Sequence, residues 1–172
     1  MTDVVVVNDK DEIIGTMPKT EAHKNGVLHR IAVVYVENPK GEILIQHRAD
    51  GYLDHSSAGH VDPGESYAEA AKRELNEELG IEGVALKYVG HGRTWEEQYL
   101  GSKVSHVFDI FRCIAEPCEL QKDEVKSVYW ADPQKILAEM QKSKTKFCGG
   151  FIESLKIYLA ARDAPSTKVF RK

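Results

Sequence analysis

The sequence contains few cysteines and no long apolar run. Its 172 residues include three cysteines, none in a Cys-x-x-Cys pair, so neither a disulfide framework nor a zinc ribbon is expected. The valine run at residues 4–7 is too short for the apolar region of a signal peptide, and no run approaches the ~18 residues of a membrane span. We therefore expect a cytoplasmic protein without a membrane partner.

A strong excess of either charge and flexible linkers are also lacking. The chain has 23 Lys and Arg residues against 27 Asp and Glu residues, for a net charge of -4. A general nucleic-acid binder normally has a basic stripe, so nucleic acid is not an expected partner. A small phosphorylated molecule is still compatible, because a few local cations can reverse the field of one cleft. No Pro/Gly/Ser-rich linker divides the chain, so we expect a single domain over residues 1–172.

Short strand and helix patterns are mixed along the whole chain. A polar turn between two β-branched segments predicts a hairpin over residues 3–15, and the apolar run at 31–36 predicts a strand buried on both faces. The other predicted elements are a short helix that Thr20 caps and that runs through His23 to end near Gly26, a helix at 66–79, strands at 85–89, 104–113 and 125–130, two helices between about 133 and 161, and a frayed tail at 163–172. This order predicts an α/β domain with a mixed sheet between helices.

The helix predicted at 66–79 carries three glutamates on one side. At 100° per residue, Glu74, Glu77 and Glu78 lie within an arc of about 100°. An apolar stripe is formed by Ala68, Ala71, Leu75 and Leu79. Its centre lies more than about 100° from the carboxylates, so the stripe can dock on the sheet while the acids face one place. Converging carboxylates suit Mg²⁺ or Mn²⁺, although a solvated acidic face is the alternative for three glutamates alone.

A longer pattern surrounds these glutamates. Residues 59–81 fit G-x5-E-x7-R-E-U-x-E-E-x-G-U, where U is a bulky aliphatic residue, at all nine specified positions. Chance occurrence in a chain of this length is on the order of 10⁻⁷. This pattern is the Nudix box, and the chain resembles the Nudix hydrolases. Residues 62–78 contain six acidic and two basic side chains, so this segment alone matches the net charge of the whole chain.

The resemblance implies a fold, a reaction and a cofactor. The fold is a Nudix-type α/β/α sandwich with a mixed β-sheet. The reaction is hydrolysis of a nucleoside diphosphate linked to another moiety, or of a related organic diphosphate, with Mg²⁺ or its substitute Mn²⁺. The partner is thus a small-molecule diphosphate whose identity the sequence leaves open. A homodimer is common for this fold, and no interface signature decides the oligomeric state.

The resemblance also assigns roles within the box. Glu74, Glu77 and Glu78 look like metal ligands, and Glu77 is alternatively the base that deprotonates the attacking water. The backbone carbonyl of Gly59 is a further metal ligand by the same resemblance.

Two other box residues and one loop residue complete this set. Glu65 and Arg73 match the positions that brace the loop–helix–loop. Glu124, just before a predicted strand, matches a loop where many Nudix hydrolases keep a catalytic or metal-binding glutamate. An ordinary exposed carboxylate is an equally good interpretation of Glu124.

A second resemblance covers roughly residues 3–135. The residues that carry it are Gly15-Thr16, Lys19, Ala22-His23, Leu28-His29, Arg48 and Gly59-His60, and they resemble type I isopentenyl-diphosphate isomerases, which share this fold. In those enzymes the positions like His23, His29 and His60 bind a metal. The positions like Lys19 and Arg48 hold the diphosphate.

The chain departs from the isomerases at their catalytic positions. Ala58 stands where they have the catalytic Cys, while Gly101 and Lys103 stand where they have metal-binding and catalytic glutamates. The sequence therefore predicts hydrolysis; isomerisation and a non-catalytic nucleotide-binding module are the two alternatives. Without the partner glutamates, His23 and His29 are expected to be structural or surface residues.

Three of the isomerase-like positions keep two interpretations each. His60 lies in the box loop, where it either contacts substrate or metal or has no such role. Lys19 and Arg48 are natural clamps for phosphate, and a plain surface role is the alternative for both.

Overall fold

The computed structural model describes residues 2–95, 97–99 and 102–164. Its strands are β1 (Asp3–Val7), β2 (Ile13–Pro18), β3 (His29–Glu37), β4 (Ile43–Arg48), β5 (Leu53–Asp54), β6 (Ser57–His60), β7 (Lys87–Arg93), β8 (Glu97–Tyr99), β9 (Ser102–Val104), β10 (His106–Ile114) and β11 (Val125–Ala131). Its α-helices are α1 (Lys19–Asn25), α2 (Tyr67–Leu79), α3 (Pro133–Lys142) and α4 (Phe151–Asp163). Residues 165–172 of the predicted tail, and Gly101, lie outside the described residues.

Strand β3 is the centre of a mixed sheet. It pairs in parallel with β10 along its whole length, from the His29–His106 pair to the Glu37–Ile114 pair. Its pairings with β1, β4 and β6 are antiparallel, and the sheet extends through β2, β11 and β7. β1 and β2 form the predicted N-terminal hairpin. The mixed sheet of an α/β fold is thus confirmed.

The two faces of β3 enter two separate cores. Val34 faces α2, where it belongs to the same buried cluster as Leu75 and Leu79. Tyr35 faces the other side and packs in the cluster that contains Leu155 of α4. Successive residues of a strand point to opposite faces, so helices cover both sides of the sheet. This is the three-layer arrangement, and it confirms the strand that was predicted to be buried on both faces.

Two predicted strands have different bounds in the structure. β7 runs to Arg93 instead of ending at residue 89, and it contains Gly90 and Gly92. A Cβ atom on Gly92 would lie 2.5 Å from Cε2 of Phe108 and 2.6 Å from Cδ1 of Ile157. The glycines are therefore present because strand and helix approach closely there.

The strand predicted at 104–113 is interrupted at Ser105. β9 ends at Val104 and β10 begins at His106. The carbonyl oxygen of Ser105 accepts a hydrogen bond from the backbone N–H of His29, at 3.2 Å. This bond fixes the start of β10 beside the start of β3.

Candidate active site

Helix α2 is capped at both ends. Ser66 accepts a hydrogen bond from the backbone N–H of Glu69, and the Glu69 carboxylate accepts one from the backbone N–H of Ser66, which makes a capping box. Gly80 ends the helix in the left-handed conformation, with φ of 64°. Leu75 and Leu79 are buried against the sheet. The helix therefore holds its polar side in a fixed orientation toward the cleft.

The three predicted glutamates differ in burial. Glu78 is 4% exposed and accepts a hydrogen bond from the side-chain amide of Gln46 on β4. Glu74 is half-buried, whereas the Glu77 side chain is 56% exposed. Glu74 and Glu78 therefore line the wall of the cleft, and Glu77 lies nearer to solvent.

The buried pair of carboxylates lies in an unfavourable electrostatic environment. Burial raises the pKa of Glu78 well above its ordinary value, and the charges of Glu74, Asp54 and Glu124 raise it further. Burial also raises the pKa of Glu74, although Arg73 opposes that shift. Acidic groups held together in this way are stabilised in their charged form by a bound cation.

Arg73 connects the helix to the loop before it. Its Nε and Nη2 atoms donate to the two carboxylate oxygens of Glu65, at 2.7 and 2.9 Å. Nη2 also donates to the carbonyl oxygen of His60, at 2.9 Å. Nη1 donates to Glu74 at 2.6 Å and to Glu77 at 3.3 Å. One guanidinium group thus fixes the loop, the strand end and two of the three glutamates.

Gly59 lies where β6 meets α2. A Cβ atom at this position would overlap with the carboxylate group of Glu74. The absence of a side chain therefore allows the Glu74 carboxylate to lie directly over the backbone of β6. Gly59 is the residue whose backbone carbonyl the Nudix resemblance implies as a metal ligand.

One cleft of about 630 Å³ brings together most of the predicted site residues. It is lined by Lys19, Arg48, His60, Glu124 and by all three glutamates. Arg48 forms ion pairs with Asp50 at 2.9 Å and with Asp54 at 3.1 Å. Its guanidinium group is therefore held at the cleft by carboxylates. Glu124 is exposed, and its negative charge raises the pKa of Glu74 and that of Glu78.

Behind Arg48 runs a buried chain of polar groups that the sequence did not reveal. Asp54 contacts Nδ1 of His55 at 2.6 Å, and Nε2 of His55 contacts Oγ of Ser154 at 2.6 Å. The Ser154 hydroxyl lies 2.7 Å from that of Tyr35. Burial alone would raise the pKa of Asp54, but His55 and Arg48 together lower it. The ionised Asp54 thus anchors Arg48, and the chain ties the cleft to α4.

Four histidines meet beside this cleft, and three of them help to line it. His23, His29, His60 and His106 each offer a ring nitrogen, and these atoms lie within 4.8 Å of one another. Burial lowers the pKa of His29 to about 4 and that of His60 well below its ordinary value. The sequence led us to expect structural or surface roles for His23 and His29, and the structure places both of them in this group of four.

Sequence reasoning missed His106, Gln46 and Asp54. His106 begins a strand that pairs in parallel with the strand begun by His29. That pairing joins distant parts of the chain and leaves no local signal. Gln46 likewise meets Glu78 only through a tertiary contact.

The sequence of this chain matches a known protein family. The family model of the NUDIX domain matches residues 27–154. The chain belongs to the Nudix family. It is a hydrolase of the kind that acts on pyrophosphate bonds in small-molecule diphosphates, and this family generally uses a divalent metal.

Several relatives of this Nudix hydrolase support the assignment. It is 34% identical to the Nudix hydrolase YfcD of Escherichia coli, over 78% of this chain and 76% of that protein. It is 30% identical to the Nudix hydrolase PA4841 of Pseudomonas aeruginosa, over 90% and 92%. It is also 32% identical to a protein of Halorhodospira halophila named isopentenyl-diphosphate Δ-isomerase, over 88% and 91%. The second resemblance seen in the sequence is consistent with that relative.

Solved structures show the same fold. The crystal structure of DR0079 from Deinococcus radiodurans superposes with a TM-score of 0.74, over 90% of this chain and 97% of that one, at 21% identity. The MutT protein of Methanosarcina mazei gives a TM-score of 0.61 over 80% and 96%, also at 21% identity. Among the described residues of the Nudix hydrolase, no helix has the length and apolar character needed to span a membrane.

The side chains of the box fit a hard divalent cation. Such ions prefer carboxylate and carbonyl oxygens, and Glu74, Glu78 and Gly59 all line the same cleft. The raised pKa values of both carboxyl groups have their cause in burial and neighbouring negative charge, which a cation would offset.

Proposed function

We propose that this Nudix hydrolase is a Mg²⁺-dependent pyrophosphohydrolase that cleaves a nucleoside diphosphate linked to another moiety, or a related organic diphosphate. The observation that carries the proposal is the shared cleft. Glu74 and Glu78 lie on one wall, while Lys19 and Arg48 line the same cavity. Anionic ligands for a metal and cationic groups for a phosphate are what diphosphate hydrolysis requires.

Each group has a role in the reaction. Glu74, Glu78 and the Gly59 carbonyl would hold the cation, which when bound neutralises diphosphate oxygens and makes water more acidic. Lys19 and Arg48 bind the diphosphate oxygens. The oxygen of water attacks one phosphorus, the bridging P–O bond breaks, and the leaving phosphate departs with its electron pair. Glu77 or Glu124 accepts the proton of the attacking water.

The two candidate bases have different surroundings. Glu77 lies 3.3 Å from Nη1 of Arg73. Glu124 follows a turn in which its backbone N–H donates to the carbonyl oxygen of Gln121, at 3.0 Å. Comparing Glu77→Gln with Glu124→Gln therefore assigns the base.

A substrate panel with labelled water tests the proposed reaction. Nucleoside di- and triphosphates, nucleotide sugars, ADP-ribose, thiamine diphosphate and isoprenoid diphosphates would be incubated with the protein, Mg²⁺ or Mn²⁺, and H₂¹⁸O. We expect at least one diphosphate to be cleaved, with ¹⁸O in a single phosphate product. Affinity for these compounds without any turnover would instead indicate a binding module and overturn the proposal.

Isomerase activity is tested in the same panel, because one relative carries that name. Isopentenyl diphosphate in D₂O would give deuterated dimethylallyl diphosphate if the chain were an isomerase. We expect no deuterium incorporation, because Ala58 has no thiol with which to protonate an alkene. Deuterated product in the absence of phosphate release would assign the chain to the alternative.

A methyl group at residue 59 is expected to impair the site and spare the fold. In Gly59→Ala the new Cβ overlaps with the Glu74 carboxylate, which must swing away because it is the movable partner. A displacement near 1 Å can cost about 100-fold in rate, so we expect a loss of that order and weaker Mg²⁺ binding. Gly15→Ala is the control, since its Cβ would face open space. Wild-type Mg²⁺ affinity by calorimetry in Gly59→Ala would contradict the assignment.

A further inference from the structure

The four histidines form a cluster of their own, distinct from the glutamates of the box. They come from four elements: His23 from α1, His29 from β3, His60 from β6 and His106 from β10. His29 and His106 are register partners at the first position of the parallel pair. We call these four residues the histidine cluster.

The tautomer of one ring is fixed by its partner. Nδ1 of His29 lies 2.7 Å from the carbonyl oxygen of Val27, and a carbonyl oxygen only accepts hydrogen bonds. The proton of a neutral His29 ring is therefore on Nδ1, and Nε2 presents a lone pair to the cluster. A histidine that ligates a metal is commonly oriented by a bond of this kind.

The remaining nitrogens cannot all be satisfied within the cluster. Nε2 of His23 lies 3.2 Å from Nε2 of His29 and 3.2 Å from Nε2 of His60. The single N–H on Nε2 of His23 can be donated to only one of these two nitrogens, so the other contact is not a hydrogen bond. Nε2 of His106 is buried and has no hydrogen-bond partner among the described residues. Burial of such an atom without a partner is unfavourable, and a shared cation would offset that cost.

The separations match the geometry of a tetrahedral metal site. With Zn–N bonds of about 2.0–2.1 Å, neighbouring ligand nitrogens of a tetrahedron are about 3.3–3.4 Å apart. Two nitrogen pairs already lie at 3.2 Å, and all four nitrogens lie within 4.8 Å of one another. Imidazole nitrogen is a borderline ligand that suits Zn²⁺, Co²⁺, Ni²⁺ and Cu²⁺ better than Mg²⁺.

We propose that the histidine cluster binds one divalent transition-metal ion of the Zn²⁺ class, with His106 as the fourth ligand, separately from the cation of the box glutamates. This set differs from the one that the isomerase resemblance implies, because the fourth donor is an imidazole on β10 and, among the residues that the structure describes, no carboxylate belongs to the cluster. Four neutral ligands leave the charge of the ion uncompensated. With Lys19 lining the same cleft, the ion would add to the positive side that faces an anionic substrate.

Cobalt is a direct probe of this site. The metal-free full-length protein would be titrated with Co²⁺ and followed by visible absorption, which reports tetrahedral nitrogen coordination. We expect one equivalent to bind with that spectrum and to be displaced by Zn²⁺ but not by excess Mg²⁺. The readout uses no substrate, so it stands whether or not the proposed hydrolysis is found.

Matched variants assign the ligands. His23→Ala and His106→Ala should each weaken Co²⁺ binding by about 100-fold or more and abolish the tetrahedral spectrum. His91→Ala is the control, because His91 pairs with Asp109 on an exposed part of the sheet outside the cluster. Glu78→Gln should leave the Co²⁺ spectrum unchanged.

Two results would overturn the proposal. One is equal Co²⁺ affinity in wild type and His106→Ala. The other is loss of the Co²⁺ signal in Glu78→Gln with retention in His23→Ala, which would assign the ion to the glutamates. If His106→Ala does not fold, as judged by circular dichroism, His23→Gln on the half-buried face of α1 replaces it. Equal Co²⁺ affinity in wild type and His23→Gln would then overturn the proposal.

Discussion

Replacing Glu78 with glutamine is expected to reduce metal-dependent hydrolysis by about 10³-fold or more while the fold is kept. Glutamine has the same shape, and its side-chain oxygen can still accept the hydrogen bond from Gln46. It lacks the negative charge that holds a divalent cation against the cleft, and electrostatic stabilisation of this kind commonly contributes more to catalysis than any other effect. Glu74→Gln should behave similarly, because Glu74 is the other carboxylate of the pair and is itself half-buried.

The same substitution is expected to stabilise the protein when metal is removed. Because the pKa of Glu78 is higher in the folded than in the unfolded chain, the folded state loses stability as the pH rises above the unfolded value of about 4.3. At pH 7 the burial of Glu78 therefore opposes folding, and glutamine removes that cost. We expect the free energy of unfolding in the absence of metal to be higher in Glu78→Gln than in wild type.

Urea unfolding with EDTA and with saturating Mg²⁺ measures both effects. The Glu78→Gln midpoint should exceed that of wild type in EDTA. Mg²⁺ should stabilise wild type, by about 2.7 kcal/mol at 100 times the dissociation constant, and leave the variant unchanged. Glu82→Gln, an exposed carboxylate just beyond the helix, is the control. Full turnover by both Glu74→Gln and Glu78→Gln would mean that neither carboxylate holds the metal.

Arg73→Lys is expected to lower activity by about 100-fold, although the charge is conserved. The guanidinium group donates to both oxygens of Glu65, to the His60 carbonyl and to Glu74. The ammonium group of lysine cannot reach all of these acceptors, because it lacks the planar arrangement of several N–H donors that the guanidinium group has. Glu74 and the end of β6 would lose their common support, and errors of about 1 Å in position cost rates of that order.

Stability should fall with activity in Arg73→Lys. The Arg73 side chain is 26% exposed, so its ion pairs are partly screened by solvent, and we expect a loss of about 1–3 kcal/mol. Lys72→Gln, the exposed neighbour on α2, is the matched control and should change neither quantity. Wild-type kcat and unfolding midpoint in Arg73→Lys would show that the network has no positioning role.

The sequence predicted α2 closely because its signals are local. Ser66 caps the helix, Gly80 ends it, and the apolar stripe that includes Leu75 docks on the sheet. The bounds of β7 were wrong because Gly92 reads as a strand breaker, whereas in the fold it is required by the close approach of Phe108 and Ile157. Local patterns do not contain such contacts.

The candidate site also has some residues that local sequence patterns predict and others that only tertiary contacts bring together. The spacing of the box residues placed Glu74 and Glu78 on one side of a helix, and the structure brings them to one cleft. Nothing in that spacing indicates that Gln46 approaches Glu78 from β4. The role of His106 depends on strand pairing across the domain, and so it could not be predicted from the chain alone.

The parallel pairing of β3 with β10 has a consequence for the order of folding. Residues 29 and 106 meet only after a long intervening segment has been enclosed, and pairings of this kind form slowly. An ion in the histidine cluster would therefore contact a complete set of ligands only once that pairing exists. The ion would thus stabilise the native state only after the two central strands have paired, and it would hold together parts of the chain that are far apart in sequence.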